Sequence, residues 1–450
     1  MSTEKRSSFT GKLGFVLAAA GSAVGLGNIW RFPYLAAKYG GGIFLLTYVV
    51  LALTFGFSLM TAEIAIGRKT GKSAIGAFKT LSKKFGFVGV LASLVPVLIL
   101  PYYSVIGGWV TKYFYVFASG NMEKATNPDY FGNYIGSTWQ PLGWFALFLF
   151  ATALVVLFGV DKGIEKVSKI MMPVLVVLTL FIAVYSLFLD GAWEGVKHYI
   201  IPYYGDQQFT WGGLGQTILG AMGQMFYSMS LAMGIMITYG SYMKKEVNLE
   251  SSVHQIEWFD TGIAFLAGLM VIPTSYALNG GNVEKGPGLM FSTLPTVFSK
   301  MPAGEIIGAL FFLLVLFAAL TSSISLMETV VSIVRDRFGG SRQLVCILVL
   351  VGTFALGVPS AFGFSCWSGF TIFGKDILTF MDDTINQLIM PIVAFLTCFI
   401  IGYVIKPQVI IEEVEETGTF KAKGMFTVMI QYIAPVFIVL ILVSSLFMTL

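Results

Sequence analysis

The sequence predicts an all-α polytopic membrane protein, on three observations. Of 450 residues, 56% are hydrophobic and 12% charged, against about 25% charged in soluble domains, so no water-soluble core could absorb the chain. Apolar stretches of about 18 residues or more, each long enough for a hydrocarbon core of about 30 Å, recur along the whole length. Two of them, "GSAVGLGNIWR" at 21–31 and "FYSMSLAMGIMITYGSY" at 226–242, are crowded with glycine and polar residues. Glycine inside a helix costs about 1 kcal/mol relative to alanine, and arginine at membrane depth costs several more, so both stretches need a reason.

Eleven crossings are expected, at 13–38, 42–67, 86–117, 143–159, 167–188, 213–241, 258–277, 304–333, 344–360, 377–405 and 426–449. The first follows the polar start MSTEKRSSFTGK and carries no small-residue cleavage site after it, so it reads as a retained helix rather than a signal peptide. With the N-terminus cytoplasmic, the basic clusters at 5–12, 68–84, 162–169, 244–245, 335–342 and 406–423 share one side and hold 20 of the 28 Lys and Arg. Positive residues stay inside, which predicts a multi-pass protein of the inner (plasma) membrane with its C-terminus outside. The segment 281–300 is amphipathic and too short and polar to span, and is expected to form an outer loop with a helical hairpin. "IEEVEE" at 411–416 reads as a solvated loop. Cys346, Cys366 and Cys398 have no ligand-like spacing, and His198 and His254 are the only histidines, which argues against a metal cluster.

The interrupted crossings are the first and the sixth. They fall there if the chain is one transmembrane domain, 1–450, built from repeats of inverted topology at about 12–190 and 210–406 with an additional helix at about 426–449. Unwound backbone at membrane depth is tolerable only where it lines a buried cavity. Free N–H groups at a half-helix start favour an anion and free carbonyls favour a cation, so a site offering both suits a zwitterion and an alkali cation. For Gly21 or Gly25 alone, close helix packing is an equal reading; Asn28, Arg31 and the matching break in the sixth crossing favour a cavity. "GLG" lacks the preceding strand and the GxGxxG spacing of a nucleotide site.

On "GSAVGLGNIWRFPY", "GGGIFLLTY", "AEIAIGR", "KGIEKVSKIMMP", "ALTSSIS" and the serines of the sixth crossing, the chain resembles the neurotransmitter:sodium symporter family over nearly its whole length. The resemblance implies a leucine-transporter-like fold with a 5+5 inverted repeat, 11 transmembrane helices as in several bacterial members, and broken helices 1 and 6. It implies no cofactor, and Na+ as coupling ion at two sites. One would use the Ala23 carbonyl, the Asn28 amide oxygen, Ser228 and Asp260, completed by the substrate carboxylate. The other would use the carbonyls of Gly21, Val24 and Ala318 with the hydroxyls of Thr321 and Ser322. All are oxygen donors, as hard cations require; for Thr321 and Ser322 the plainer reading is back-bonding to their own helix.

By the same resemblance, the substrate carboxylate would meet the amides of Leu26 and Gly27 and the Tyr103 hydroxyl. Its ammonium group would meet carbonyls near Ala23, Tyr227 and Ser228, plus Ser230, while Ile99, Met233, Leu326, Ser322 and the Tyr227 ring enclose the side chain. No fixed charge lines that pocket, so neutral side chains are favoured. Ala232, where the leucine transporter has glycine, would trim the pocket, and the flexible Met233 would let it repack.

Arg31 resembles the outer-gate arginine, with Asp382 as partner and Asp383 as the competing assignment, above the rings of Tyr103 and Tyr227. Arg6 to Asp336, near Tyr242, would form the inner latch, with Phe9 where the family usually has tryptophan. Asp260 stands where many members have asparagine, and Ala264 offers no hydroxyl for an anion; a covalent carboxylate predicts chloride-independent transport, unless Asp260 is only structural. Glu63 is expected to brace the scaffold, and Glu328 carries no assignment.

These residues describe a sodium-coupled symporter importing a neutral, hydrophobic L-amino acid by alternating access, its partners being that substrate, sodium and the lipid bilayer, with no nucleic acid. An aromatic-specific member (tyrosine or tryptophan) and a non-transporting amino acid sensor are the other readings. A channel would need a continuous polar pore, and an enzyme would need a nucleophile with its base or a metal cluster; the sequence presents neither.

Overall fold

A chain this apolar must satisfy its own backbone, and helices do so within each segment. The computed structural model describes residues 7–203, 209–281, 283 and 286–448, and among them pairing outside helices is limited to two isolated bridges. Helix α1 (Lys12–Ala23) and α2 (Gly27–Lys38) meet at a 54° bend. Then come α3 (Gly42–Thr70), the short α4 (Ala74–Leu81), α5 (Lys83–Ala118), α6 (Trp139–Leu157), α7 (Val160–Leu187) and the surface helix α8 (Ala192–Ile200). The second half opens with another interrupted pair, α9 (Trp211–Ser228) and α10 (Ile235–Gly240). It continues through α11 (Leu249–Asn279), α12 (Leu289–Ser299), α13 (Gly304–Phe338), α14 (Arg342–Phe362), α15 (Ile377–Val404), α16 (Gln408–Glu415) and α17 (Lys423–Ser444).

Among the described residues nine unbroken helices are long and apolar enough to cross a membrane; the bent pair α1–α2 and the pair α9–α10 occupy the first and sixth expected crossings. The seventh begins earlier than 258, because Asn248 caps it by accepting the Ser251 amide at 2.9 Å. That keeps the polar turn of Glu250, His254 and Glu257 helical. The fifth begins earlier too, with "VDKGIE" wound as one wide π-type turn.

Two expectations change. Among the described residues of 281–300 the structure forms one helix, α12, rather than a hairpin, because Leu289, Phe291, Leu294 and Phe298 are buried against the bundle. "IEEVEE" is not a solvated loop: all but its last residue belong to α16, whose Ile410, Ile411 and Val414 are buried and whose Glu413 pairs with Arg68 at 2.8 Å. An acidic run read alone hid the apolar face beneath it.

The broken helices sit in the middle of the bundle. Residues 14–23 of α1 are all buried, and α10 lies against α3 so closely that a Cβ at Gly67 would come 1.9 Å from the Ile237 carbonyl oxygen. Outward-facing positions instead carry large apolar side chains such as Phe150, Val177, Leu348 and Val351, the surface a bilayer wets.

Candidate functional site

Both breaks leave the helical path in ways their residues dictate. After Ala23 the chain extends at Val24 (φ −74°, ψ 104°) before α2 resumes. After Ser228 three residues take positive φ: Ser230 (53°), Ala232 (60°) and Gly234 (70°). A side chain in that region costs about 1–3 kcal/mol, so the segment needs outside support. Glu63 on α3 supplies it, accepting the Ala232 amide at 2.7 Å, the bracing expected of it. Ala232 lies outside the pocket lining, so its methyl does not trim the cavity as its position in the sequence suggested: its backbone faces Glu63.

The first group of oxygens gathers on Asp260 of α11, which is wholly buried. Its Oδ1 accepts Asn28 Nδ2 at 2.8 Å and the Ser228 hydroxyl at 2.7 Å, and its Oδ2 accepts the Tyr48 hydroxyl at 2.9 Å. These donors are neutral. Because its amide nitrogen is committed to Asp260, Asn28 turns Oδ1 toward the break, where it accepts the Gly25 amide at 3.0 Å. A buried carboxylate with dipoles but no cationic side chain is costly unless a cation joins it. Ala23, Asn28 and Ser228 line the adjoining pocket.

A second group forms where α13 passes the end of α1. The Ser322 hydroxyl lies 3.1 Å from the Ser22 carbonyl, 3.4 Å from that of Val24 and 3.5 Å from that of Gly21. Thr321 donates to carbonyls of its own helix, Phe317 at 3.0 Å and Ala318 at 3.1 Å. A Cβ at Gly21 would lie 3.2 Å from Thr321 Cβ, so all five expected residues converge. No charged side chain belongs to this group.

Between the groups lies a cavity of about 30 Å³ lined by Ala23, Leu26, Gly27, Ile99, Tyr103, Tyr227, Ser228, Ser230, Met233, Ser322 and Leu326, which is every residue expected to contact substrate. Sequence reasoning missed Ser22, Gly25 and Ile235, which line it too. Gly25 had a signal: a glycine at an unwound turn is required where a side chain would collide, and its Cβ would stand 2.8 Å from Ser322 Oγ and 3.3 Å from the Tyr103 hydroxyl. That hydroxyl is buried without a hydrogen-bond partner among the described residues. A buried hydroxyl at the wall of a cavity is placed to meet whatever occupies it.

Of the outer gate residues, Arg31 and Asp382 do not come within ion-pair distance of each other. The guanidinium sits over the Tyr227 ring, 5.6 Å from its centroid, within cation–π range. Asp382 accepts Asn386 Nδ2 one turn along its own helix at 2.7 Å, and Asp383 pairs with Lys375 at 2.7 Å.

On the side of the basic clusters, Phe9 is buried, donates its amide to the Tyr242 carbonyl at 3.1 Å and meets the rings of Phe15, Tyr239 and Tyr242 edge-on. Arg6 lies outside the described residues, and Asp336 accepts the Ser73 amide at 2.8 Å. Glu328 gains partners that the sequence did not suggest: the Tyr242 hydroxyl at 2.7 Å and Arg342, whose guanidinium also donates to the Val156 carbonyl. Glu165, inside the quoted "KGIEKVSKIMMP", ties down the start of the chain by accepting the Thr10 amide at 2.8 Å.

The chain matches the Sodium:neurotransmitter symporter family over residues 6–127 and 135–449. It is 34% identical over 455 residues to an uncharacterized sodium-dependent transporter, YhdH, of Bacillus subtilis, covering 99% of this chain and 98% of that one. A second uncharacterized sodium-dependent transporter, from Haemophilus influenzae, is 30% identical over 460 residues and 99% of each chain. The crystal structure of MhsT in complex with L-phenylalanine superposes with a TM-score of 0.88 at 35% identity, over 98% of this chain and 100% of that one.

Proposed function

The chain belongs to the sodium:neurotransmitter symporter family and is a sodium-dependent symporter of the membrane, and from that premise we propose that it imports a neutral, hydrophobic L-amino acid with sodium by alternating access. The observation that carries this reading is Asp260, a buried carboxylate held by three neutral donors beside an unwound break. Sodium supplies the missing positive charge there, with the Ala23 carbonyl, Asn28, Ser228 and the substrate carboxylate. A second sodium lies among Gly21, Val24, Ala318, Thr321 and Ser322. Each sodium charge moving inward gains about 2.3 kcal/mol per 100 mV.

The pocket supports the substrate class. It has no charged side chain, and its free space is small, about 30 Å³. A substrate side chain therefore enters by displacing Met233, Ile99 and Leu326, all apolar. Its carboxylate takes the bare Tyr103 hydroxyl and the Leu26 and Gly27 amides. Tyr48 and Ser228 already donate to Asp260, so these hydroxyls are committed and transport is chloride-independent. Arg31, Tyr227 and Asp382 close the outer side; Phe9, Tyr242 and Asp336 close the cytoplasmic side, where the N-terminus lies. The whole chain acts as one domain of two inverted repeats. An aromatic preference is the second reading, favoured by the L-phenylalanine complex of MhsT.

The test is uptake into sodium-gradient proteoliposomes, with the twenty amino acids competing against labelled L-phenylalanine and L-leucine. Leucine, isoleucine, methionine and the aromatic acids are expected to compete, and lysine and glutamate to fail; uptake driven equally by potassium rejects the proposal. Sodium-dependent binding without accumulation would identify a sensor. Asn28→Ala is expected to weaken sodium and substrate together, each by about ten-fold or more, since it touches both through one charged group.

A further inference from the structure

The basic clusters on the cytoplasmic side are not alike. Lys169 pairs with Glu165, Lys245 with Glu413 and Glu416, Lys423 with Glu415, and Arg342 with Glu328. The cluster at 68–84 has no acid of its own: no Asp or Glu occurs between Glu63 and Glu123. Arg68 turns inward to Glu413, which leaves Lys69, Lys72, Lys79, Lys83 and Lys84. All five are exposed, and among the described residues none has an acidic partner. They surround α4, which joins the ends of α3 and α5, two helices long and apolar enough to cross a membrane.

Helix α4 is two-faced. Ala74, Ala77 and Phe78 are buried, and the contact with α5 is so close that a Cβ at Gly89 would lie 2.6 Å from the Ala74 carbonyl oxygen. On the other face Lys72 lies along Gly76 and donates to the Thr80 hydroxyl at 3.0 Å. Phe87, half exposed at the start of α5, adds an apolar anchor beside the lysines. The buried face also reaches Asp336 and the second break. The Ser73 amide holds Asp336 at 2.8 Å, and a Cβ at Gly234, in the break between α9 and α10, would stand 3.3 Å from Ala74 Cβ.

We propose that α4 and its flanking lysines form a docking surface for anionic phospholipid headgroups of the cytoplasmic leaflet, and that headgroup binding steadies the closed inner gate through Ser73–Asp336 and Ala74–Gly234. Lipid is the occupant because the unneutralised charge sits at the ends of two helices long and apolar enough to cross a membrane, and juxtamembrane lysine clusters of this size are drawn to anionic leaflets. The proposal uses the orientation given above; its readout is lipid association, which is independent of substrate and of sodium coupling.

The experiment places the full chain in lipid discs and measures the association of spin-labelled phosphatidylglycerol relative to spin-labelled phosphatidylcholine. Wild type is expected to prefer the anionic lipid several-fold. Single Lys79→Gln and Lys83→Gln chains are each expected to lose part of that preference, the combined Lys72, Lys79, Lys83 and Lys84→Gln chain to lose all of it, and the matching Arg chain to keep it. Hydrogen exchange over residues 7–15 is expected to slow in anionic discs for wild type and the Arg chain only. Equal preference in wild type and the combined Gln chain overturns the surface, and exchange indifferent to headgroup charge overturns its link to the gate. Slowing by inorganic phosphate in zwitterionic discs assigns the lysines to a soluble anion and overturns the lipid reading.

Discussion

The two oxygen clusters flanking the pocket solve the same problem with different physics. Around Asp260 one full negative charge is buried and held by Asn28, Ser228 and Tyr48. Where α13 meets α1, the residues are carbonyls and hydroxyls, Thr321 and Ser322 against Gly21, Ser22 and Val24, with no charged side chain. A carboxylate attracts a cation over distance and suffers when none is present. A ring of dipoles attracts it only at contact and satisfies itself otherwise, as Thr321 does on Phe317 and Ala318. Under the proposed function, the first cluster demands a cation and the second accepts one.

Removing the charge breaks the comparison most severely. Asp260→Asn is expected to lower sodium-driven uptake by about 100-fold or more in chloride-free buffer, the scale of breaking a buried pair, and added chloride is expected to restore part of it. Uptake unchanged with and without chloride would reduce Asp260 to a structural carboxylate. Thr321→Val sharpens the other half: it deletes one dipole at constant shape, and is expected to raise the sodium concentration for half-maximal uptake by about ten-fold, with no response to chloride. Equal shifts in both variants would erase the distinction between charge and dipole.

What the sequence revealed follows the same division. Crossings were legible because burial in lipid demands long apolar runs, and the breaks because glycine and serine there conflict with helix geometry. The pocket residues were legible only through motifs shared with a family. Glu328 and Arg342 were not, since they meet across the turn between α13 and α14 and no helical spacing links them. α16 was misread because one acidic run concealed three buried aliphatic residues and a buried Glu413. The Arg31–Asp382 pair was expected only from the family resemblance; the Tyr227 ring takes the guanidinium instead, a competition that a linear sequence does not display.

Tyr48 offers the finest test of the charged cluster. Its ring meets Phe32 at 4.9 Å and Phe44 at 6.3 Å and lines an apolar crevice of about 260 Å³ with Leu45, Leu46, Val49, Thr261 and Phe265, so Tyr48→Phe preserves the packing and removes only the donor to Asp260 Oδ2. That oxygen then faces apolar surroundings with one partner fewer, which costs about 1.5–3 kcal/mol in a form without sodium. Sodium bound at Asp260 offsets part of that cost. Thermal unfolding with and without sodium is therefore expected to show a wider gap in Tyr48→Phe than in wild type, the melting point falling by a few degrees in its absence and less in its presence. A narrower gap would mean that Tyr48 holds the carboxylate in the orientation that sodium needs, and that geometry rather than bare charge sets the affinity of the cluster.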